Sequence, residues 1–189
     1  MNEKRKVRVS KRLSLHLRHA PGDIGLELGP GGWVAVDDLL AALARNGFPV
    51  DREELAEVVA SSDKQRFALD ETGTMIRANQ GHSVAVDLEL AEADPPEVLF
   101  HGTVAAALPA IRREGLRPMA RHHVHLSDSA NTATRVGARR GEPLVLEVDT
   151  SGMRAQGHRF FRSANGVWLV DAVPPEYLRE PVRYPEQPE

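Results

Sequence analysis

Cysteine is absent from all 189 residues, which removes disulfide frameworks, thiolate nucleophiles and the usual structural zinc sites together. A second absence is a long apolar run. No stretch of about 18 apolar residues exists to span a bilayer, and the basic start from Met1 to Arg12 lacks the hydrophobic segment of a secretory signal. These two features lead us to expect a cytoplasmic protein. A large excess of one charge is also missing. The formal net charge of -3 argues against indiscriminate nucleic-acid binding.

What is present is close to a globular average: 41% hydrophobic and 27% charged residues, in a chain long enough for one large domain or two small ones. The charge is unevenly placed. Between Met1 and His19 stand Lys4, Arg5, Lys6, Arg8, Lys11, Arg12 and Arg18 against the single acid Glu3, so a local site for phosphates is expected there.

Along the chain, Ser10 reads as the N-cap of a helix through Leu13, Leu17 and Arg18 that ends before Pro21. Gly29-Pro30-Gly31-Gly32 is a turn. It leads into a short strand at Trp33–Val36 and a helix capped by Asp37. Asp51 and Glu54 have the spacing of a capping box for a third helix. Arg66–Leu69 and Thr74–Arg77 flank a Gly-containing loop, the pattern of a β-hairpin. Three helices followed by a two-stranded wing suggest a winged-helix unit.

From Val84 to Glu97 the sequence turns acidic and ends in Asp94-Pro95-Pro96, a composition suited to an exposed connection. The expected domains are therefore residues 1–83, a linker at 84–97, and residues 98–189. In the second half, strands are expected at Val98–Phe100, Pro143–Val148, His158–Arg162 and Val167–Val170. Helices are expected at Val104–Glu114 and Asp128–Arg139. The fold class is α+β on antiparallel sheet.

Several segments carry chemistry-bearing residues. A cation beside an imidazole, as in Arg18-His19, suits work on a phosphate oxygen, although the same pair also suits a helix C-terminus through the macrodipole. Arg66 on a strand reads equally as solvated. Arg77, Asn79, Gln80 and His82 cluster at a strand end, where they can read phosphates and sugar hydroxyls or simply build a turn. His101-Gly102-Thr103 reads as a strand-to-helix passage, with Thr103 as cap and Gly102 letting amides approach a diphosphate. In Arg121-His122-His123-Val124-His125-Leu126-Ser127, His123 and His125 share a strand face while His122 points away. No glutamate or cysteine stands near to complete a zinc shell, so no metal is expected.

In order, these segments resemble the RNA 2′-phosphotransferase family. The resemblance rests on Ser10-Lys11-Arg12-Leu13-Ser14 with Leu17-Arg18-His19, Gly32-Trp33-Val34, Lys64-Gln65-Arg66-Phe67 and Ile76 to Ser83. It continues through Phe100-His101-Gly102-Thr103, His123 to Ser127, Val136-Gly137-Ala138-Arg139 and Asn165 to Leu169, covering residues 10 to about 178. The family resemblance implies a winged-helix lobe joined to an ADP-ribosyltransferase-like lobe, acting as a monomer on RNA bearing a 2′-phosphate, with NAD as co-substrate and RNA processing such as tRNA splicing as the setting. In the implied reaction the 2′-phosphate attacks C1″ of the nicotinamide ribose and expels nicotinamide. The ribose O2″ then attacks phosphorus, freeing the RNA 2′-hydroxyl and ADP-ribose 1″,2″-cyclic phosphate.

By the same resemblance Arg18, His19, Arg66 and Arg139 are the catalytic set, with His19 the proton donor. Arg140, one place on, competes with Arg139. His101, Gly102 and Thr103, then His125 and Ser127, are the implied NAD contacts; Arg77, Asn79, Gln80 and His82 are the implied RNA contacts. No catalytic glutamate is evident around Val167–Leu169, which fits an acceptor that is already an anion and needs no base. Two other readings remain: an ADP-ribosyltransferase acting on terminal phosphates of RNA or DNA, and a non-catalytic winged-helix nucleic-acid-binding regulator.

Overall fold

The computed structural model describes Met1–Ser62 and Lys64–Arg183. The chain divides into two compact units, Met1–Leu90 and Ala91–Glu189.

The N-terminal unit begins with helix α1, Glu3–Arg18. Its cap is Asn2, whose side chain accepts from the Arg5 amide at 2.8 Å, so Ser10 lies in mid-helix rather than at its start. The basic run before Ser10 consists largely of good helix formers, and Val9, Leu13 and Leu17 extend one apolar stripe at four-residue spacing. All three are completely buried, and each contributes roughly 1.5–3 kcal/mol of burial. Leu13→Ala would cost about 2–5 kcal/mol.

Strand β1 is Val34–Ala35, and helix α2, Val36–Arg45, follows it directly. Ala35 occupies the cap position, and Asp37 sits in the first turn, where its charge favours the helix N-terminus. Helix α3, Arg52–Ala60, is capped by Asp51 as expected, its carboxylate accepting from the Glu54 amide at 2.7 Å. The Glu54 side chain turns to Arg5 instead of completing the box.

Strands β2, Phe67–Leu69, and β3, Met75–Ala78, form the expected hairpin. Asp70 organises its loop by accepting from the Met75 amide and the Thr72 hydroxyl. With β1 they make an antiparallel sheet in the order β1-β3-β2.

Residues 84–90 are less exposed than their composition suggests. Leu88 is buried and the Asp87 carbonyl accepts from the Gly31 amide, so one apolar side chain and one backbone bond hold an acidic stretch to its unit. On the other side of the division, the Ala93 amide donates to the Phe160 carbonyl.

In the C-terminal unit, strand β4 is Val98–Val104, longer than expected. It carries His101, Gly102 and Thr103 inside the sheet. A single 3-10 turn then leads to helix α4, Leu108–Glu114, so Thr103 caps no helix. Strand β5 is Val124–Leu126, helix α5 Ala130–Gly137, strand β6 Pro143–Asp149 and helix α6 Thr150–Ala155. Strands β7, Phe161–Arg162, and β8, Trp168–Val170, complete it.

Every pairing is antiparallel: β4 with β6, and β5-β8-β7, with a bridge between Phe100 and Ser127 linking the two sheets. The core gathers Leu99, Val124, Leu146, Val148, Met153 and Trp168. Mixed helix and antiparallel sheet throughout make this an α+β protein.

Candidate functional site

In the N-terminal unit the end of α1 faces the strand edges. The Arg18 carbonyl, left without an intrahelical partner, accepts from the amides of Ser83 and Val84. That tie brings Ser83 to the next residue, whose Nδ1 lies 2.9 Å from the serine hydroxyl: the imidazole is His19. The Arg18 guanidinium donates to the Arg66 carbonyl at 3.3 Å and lies over the Phe67 ring at 5.7 Å. The Arg66 carbonyl also accepts from the Asn79 amide. The adjacent pair Arg18-His19 is thus held beside the Arg66 backbone, 48 residues further along the chain from Arg18.

The strand-end cluster divides by role. Asn79 is almost buried and its amide nitrogen donates to the Gln65 carbonyl at 2.5 Å, holding a residue whose φ is 40°. His82 is 1% exposed, and its Nε2 lies where it would meet a Cβ at Gly32 at 3.3 Å. Arg77 stacks on Trp33 at 4.6 Å. Gln80 keeps part of its surface exposed.

In the C-terminal unit, Gly102 and Gly137 bring α5 onto β4 backbone to backbone. A Cβ at Gly102 would fall far inside contact with the Ala133 carbonyl oxygen, and one at Gly137 would meet the Thr103 carbonyl oxygen at 2.8 Å. Close helix packing is therefore enough by itself to require glycine at 102. It also carries the turn after α5, Ala138–Arg140, to the end of the sheet.

There His101 Nδ1 lies 3.1 Å from the His125 carbonyl. Burial holds the His101 imidazole below the ordinary histidine range; that carbonyl opposes the shift and the Arg140 charge adds to it. His101 is therefore neutral at pH 7. Since a carbonyl only accepts, Nδ1 carries the hydrogen and Nε2 presents a lone pair.

Arg121 donates to His125 Nδ1 at 2.6 Å. Burial, then the charges of Arg140 and Arg139, push the Arg121 guanidinium below its usual range. Among the described residues none of these three arginines forms an ion pair with a carboxylate. Ser127 binds the end of β5 to Phe100, and its hydroxyl accepts from the Ser129 amide at the start of α5. Cations concentrated at one sheet end beside a neutral imidazole acceptor suit an anion with a sugar hydroxyl next to it.

The model of the RNA 2′-phosphotransferase, Tpt1 / KptA family, matches residues 4–172. The chain belongs to the RNA 2′-phosphotransferase family. The "probable RNA 2′-phosphotransferase" of Streptomyces griseus subsp. griseus is 61% identical over 185 residues, covering 94% of this chain and 98% of that protein. That of Streptomyces coelicolor is 61% identical over 181 residues, with 96% and 98% covered. The protein of the same description from Nostoc punctiforme is 55% identical over 180 residues, with 95% and 99% covered. As a member of this family the chain is a transferase.

Two partners in these clusters escaped the sequence reading. Ser83 stood within the strand-end segment without a role of its own, and Arg121 opens the histidine-rich segment. Only the fold pairs them with His19 and His125. Among the described residues no group of His, Asp and Glu gathers as it would around a metal ion, and no helix is long and apolar enough to cross a membrane.

Proposed function

We propose that this chain is an NAD-dependent RNA 2′-phosphotransferase that transfers an RNA 2′-phosphate to the ADP-ribose part of NAD, leaving a 2′-hydroxyl, nicotinamide and ADP-ribose 1″,2″-cyclic phosphate. The observation that carries the reading is the proximity of Arg18, His19 and Arg66 within one unit, with the Arg18 guanidinium on the Arg66 carbonyl and His19 and Arg66 lining one basin, a set of groups suited to a phosphate. Three helices with a β2–β3 hairpin after the third support a winged-helix unit. The antiparallel sheets around α5 support an ADP-ribosyltransferase-like unit.

In this proposal Arg18 and Arg66 hold the equatorial phosphate oxygens; Arg139, in the C-terminal unit, is the fourth catalytic residue that the family resemblance implies. His19 delivers a proton to the leaving 2′-oxygen as the phosphorus–oxygen bond breaks. The Ser83 hydroxyl sets the orientation of its ring. Gln80 faces the RNA, while Arg77, Asn79 and His82 shape the loop that presents it.

The C-terminal unit is the proposed dinucleotide site. A dinucleotide brings a diphosphate and ribose hydroxyls. Arg121 and Arg140 offer charge for the former, and the bare Nε2 of His101 accepts from the latter. Gly102, Thr103 and Ser127 position His101 and His125 as framework. NAD supplies the electrophilic sugar carbon, and the chain holds the reacting groups in place.

The test is incubation with NAD and matched oligonucleotides carrying an internal 2′-phosphate or only a 5′-phosphate, following nicotinamide and the RNA product by chromatography. We expect nicotinamide release and 2′-dephosphorylated RNA from the first. Release with the second alone, or with neither, would overturn the proposal.

A further inference from the structure

Helix α1 and the end of α3 enclose an open basin of about 440 Å³ within the N-terminal unit, and His19 and Arg66 belong to its lining. Two four-residue ridges of α1 form its floor: Ser10 and Ser14 on one, Val7, Lys11 and Leu15 on the other. Ser61 and Ser62 line it from the end of α3. From Lys6 to His19 the helix extends about 20 Å at its usual rise, so the basin is a channel rather than a pit.

Charge along it is graded. Lys6, at the far end, is occupied by Glu3 at 3.0 Å and Glu57 at 3.4 Å. Lys11 is exposed and, among the described residues, pairs with no carboxylate. Positive charge therefore rises toward His19 and Arg66. Among the described residues Ser10, Ser14 and Ser61 have no side-chain hydrogen bond, so their hydroxyls are available as donors. Val7 and Leu15, at 49% and 38%, are among the few large apolar side chains left exposed, and both lie here.

We propose that this channel carries the single RNA strand adjoining the phosphorylated nucleotide. The inference rests on the reading that His19 and Arg66 attend the 2′-phosphate. Hydroxyl and ammonium donors suit backbone phosphates, and exposed Val7 and Leu15 offer apolar contact to sugars and base faces. A peptide with hydrophobic anchors would want a deeper apolar floor than alternating serines provide.

The test compares binding of a 2′-phosphorylated dinucleotide with that of a longer single-stranded RNA carrying the same 2′-phosphate, by fluorescence anisotropy over a range of salt. In the wild-type protein the longer RNA binds more tightly. Lys11→Glu and the uncharged double variant Ser10→Leu/Ser14→Leu should each reduce that preference about fivefold or more. Lys11→Glu should also make the salt dependence shallower by about one unit of log–log slope. Arg45→Glu, the same charge change on α2 outside the channel, should reduce the preference less than about twofold.

A preference equal to wild type in both channel variants, or an equal loss in Arg45→Glu, would overturn the proposal. Tight length-dependent binding without nicotinamide release in the presence of NAD would instead overturn the proposed reaction and leave the channel standing.

Discussion

The Nδ1 atom of His19 and the hydroxyl of Ser83 lie 2.9 Å apart, across 64 residues of sequence. If His19 protonates the leaving 2′-oxygen, removing it slows phosphoryl transfer more than the earlier loss of nicotinamide. His19→Ala should lower the overall rate by about 100-fold or more and let ADP-ribosylated RNA accumulate. Ser83→Ala, which loses only the orienting contact, should cost less and accumulate the same species. Rapid quench with gel analysis checks both. Loss of nicotinamide release without any accumulated intermediate would show that His19 has been given the wrong step.

His101 predicts a pH dependence of stability. Its folded value lies below the ordinary 6.5, because burial disfavours the charged ring. Well above the ordinary value of 6.5 the ring is neutral in both folded and unfolded chains. As pH falls below that, the unfolded chain takes up a proton that the folded chain resists, so stability drops until the folded value is passed. His123 is shifted in the same direction, chiefly by burial. Urea midpoints should therefore fall between pH 7.5 and 5.5, and His101→Gln should show a smaller fall. An unchanged slope in the variant would contradict the assignment of a neutral, half-buried ring.

Gly102→Ala should destabilise the C-terminal unit by about 3 kcal/mol or more, because the new methyl group meets backbone rather than a movable side chain. Gly22→Ala is the matching comparison. It has no neighbour within 4 Å and no left-handed φ, so its effect should stay within about 0.5 kcal/mol. Thermal melts of both variants decide this. A Gly102→Ala protein as stable as wild type would mean that α5 shifts easily on β4.

Arg121 and Arg140 should matter to the dinucleotide in distinguishable ways. Arg121→Ala removes the donor to His125 and one charge, and should raise the NAD concentration needed for half-maximal rate by about tenfold to a hundredfold. Arg140→Ala should weaken NAD binding, whereas Arg139→Ala should lower kcat. Steady-state kinetics at varied NAD separates these effects. Equal losses in kcat from the Arg139 and Arg140 variants would remove the distinction between them.

Much of the N-terminal unit was legible because local signals there agree with tertiary ones. The Asp51 cap and the hairpin around Asp70 were readable directly. The start of α1 was not: Ser10 is a good cap by type, but helix-favouring Lys and Arg residues carry the helix back to Asn2. In the C-terminal unit, the sequence suggested that Gly102 lets backbone amides approach a diphosphate. The packing that also requires glycine there, a helix laid against a strand, depends on residues some thirty positions away and leaves no local trace. The proposed catalytic set rests on resemblance, since Arg18-His19 alone fits a helix end as well as a phosphate.

The seam between Gly102 and Gly137 is built from two main chains, with no side chain from either glycine to repack. Most interfaces can absorb a substitution by exchanging rotamers; this one has none at those two points. The position of Arg139 and Arg140 is thus inherited from peptide geometry, and random mutagenesis should find neighbouring side chains forgiving while both glycines admit almost no replacement.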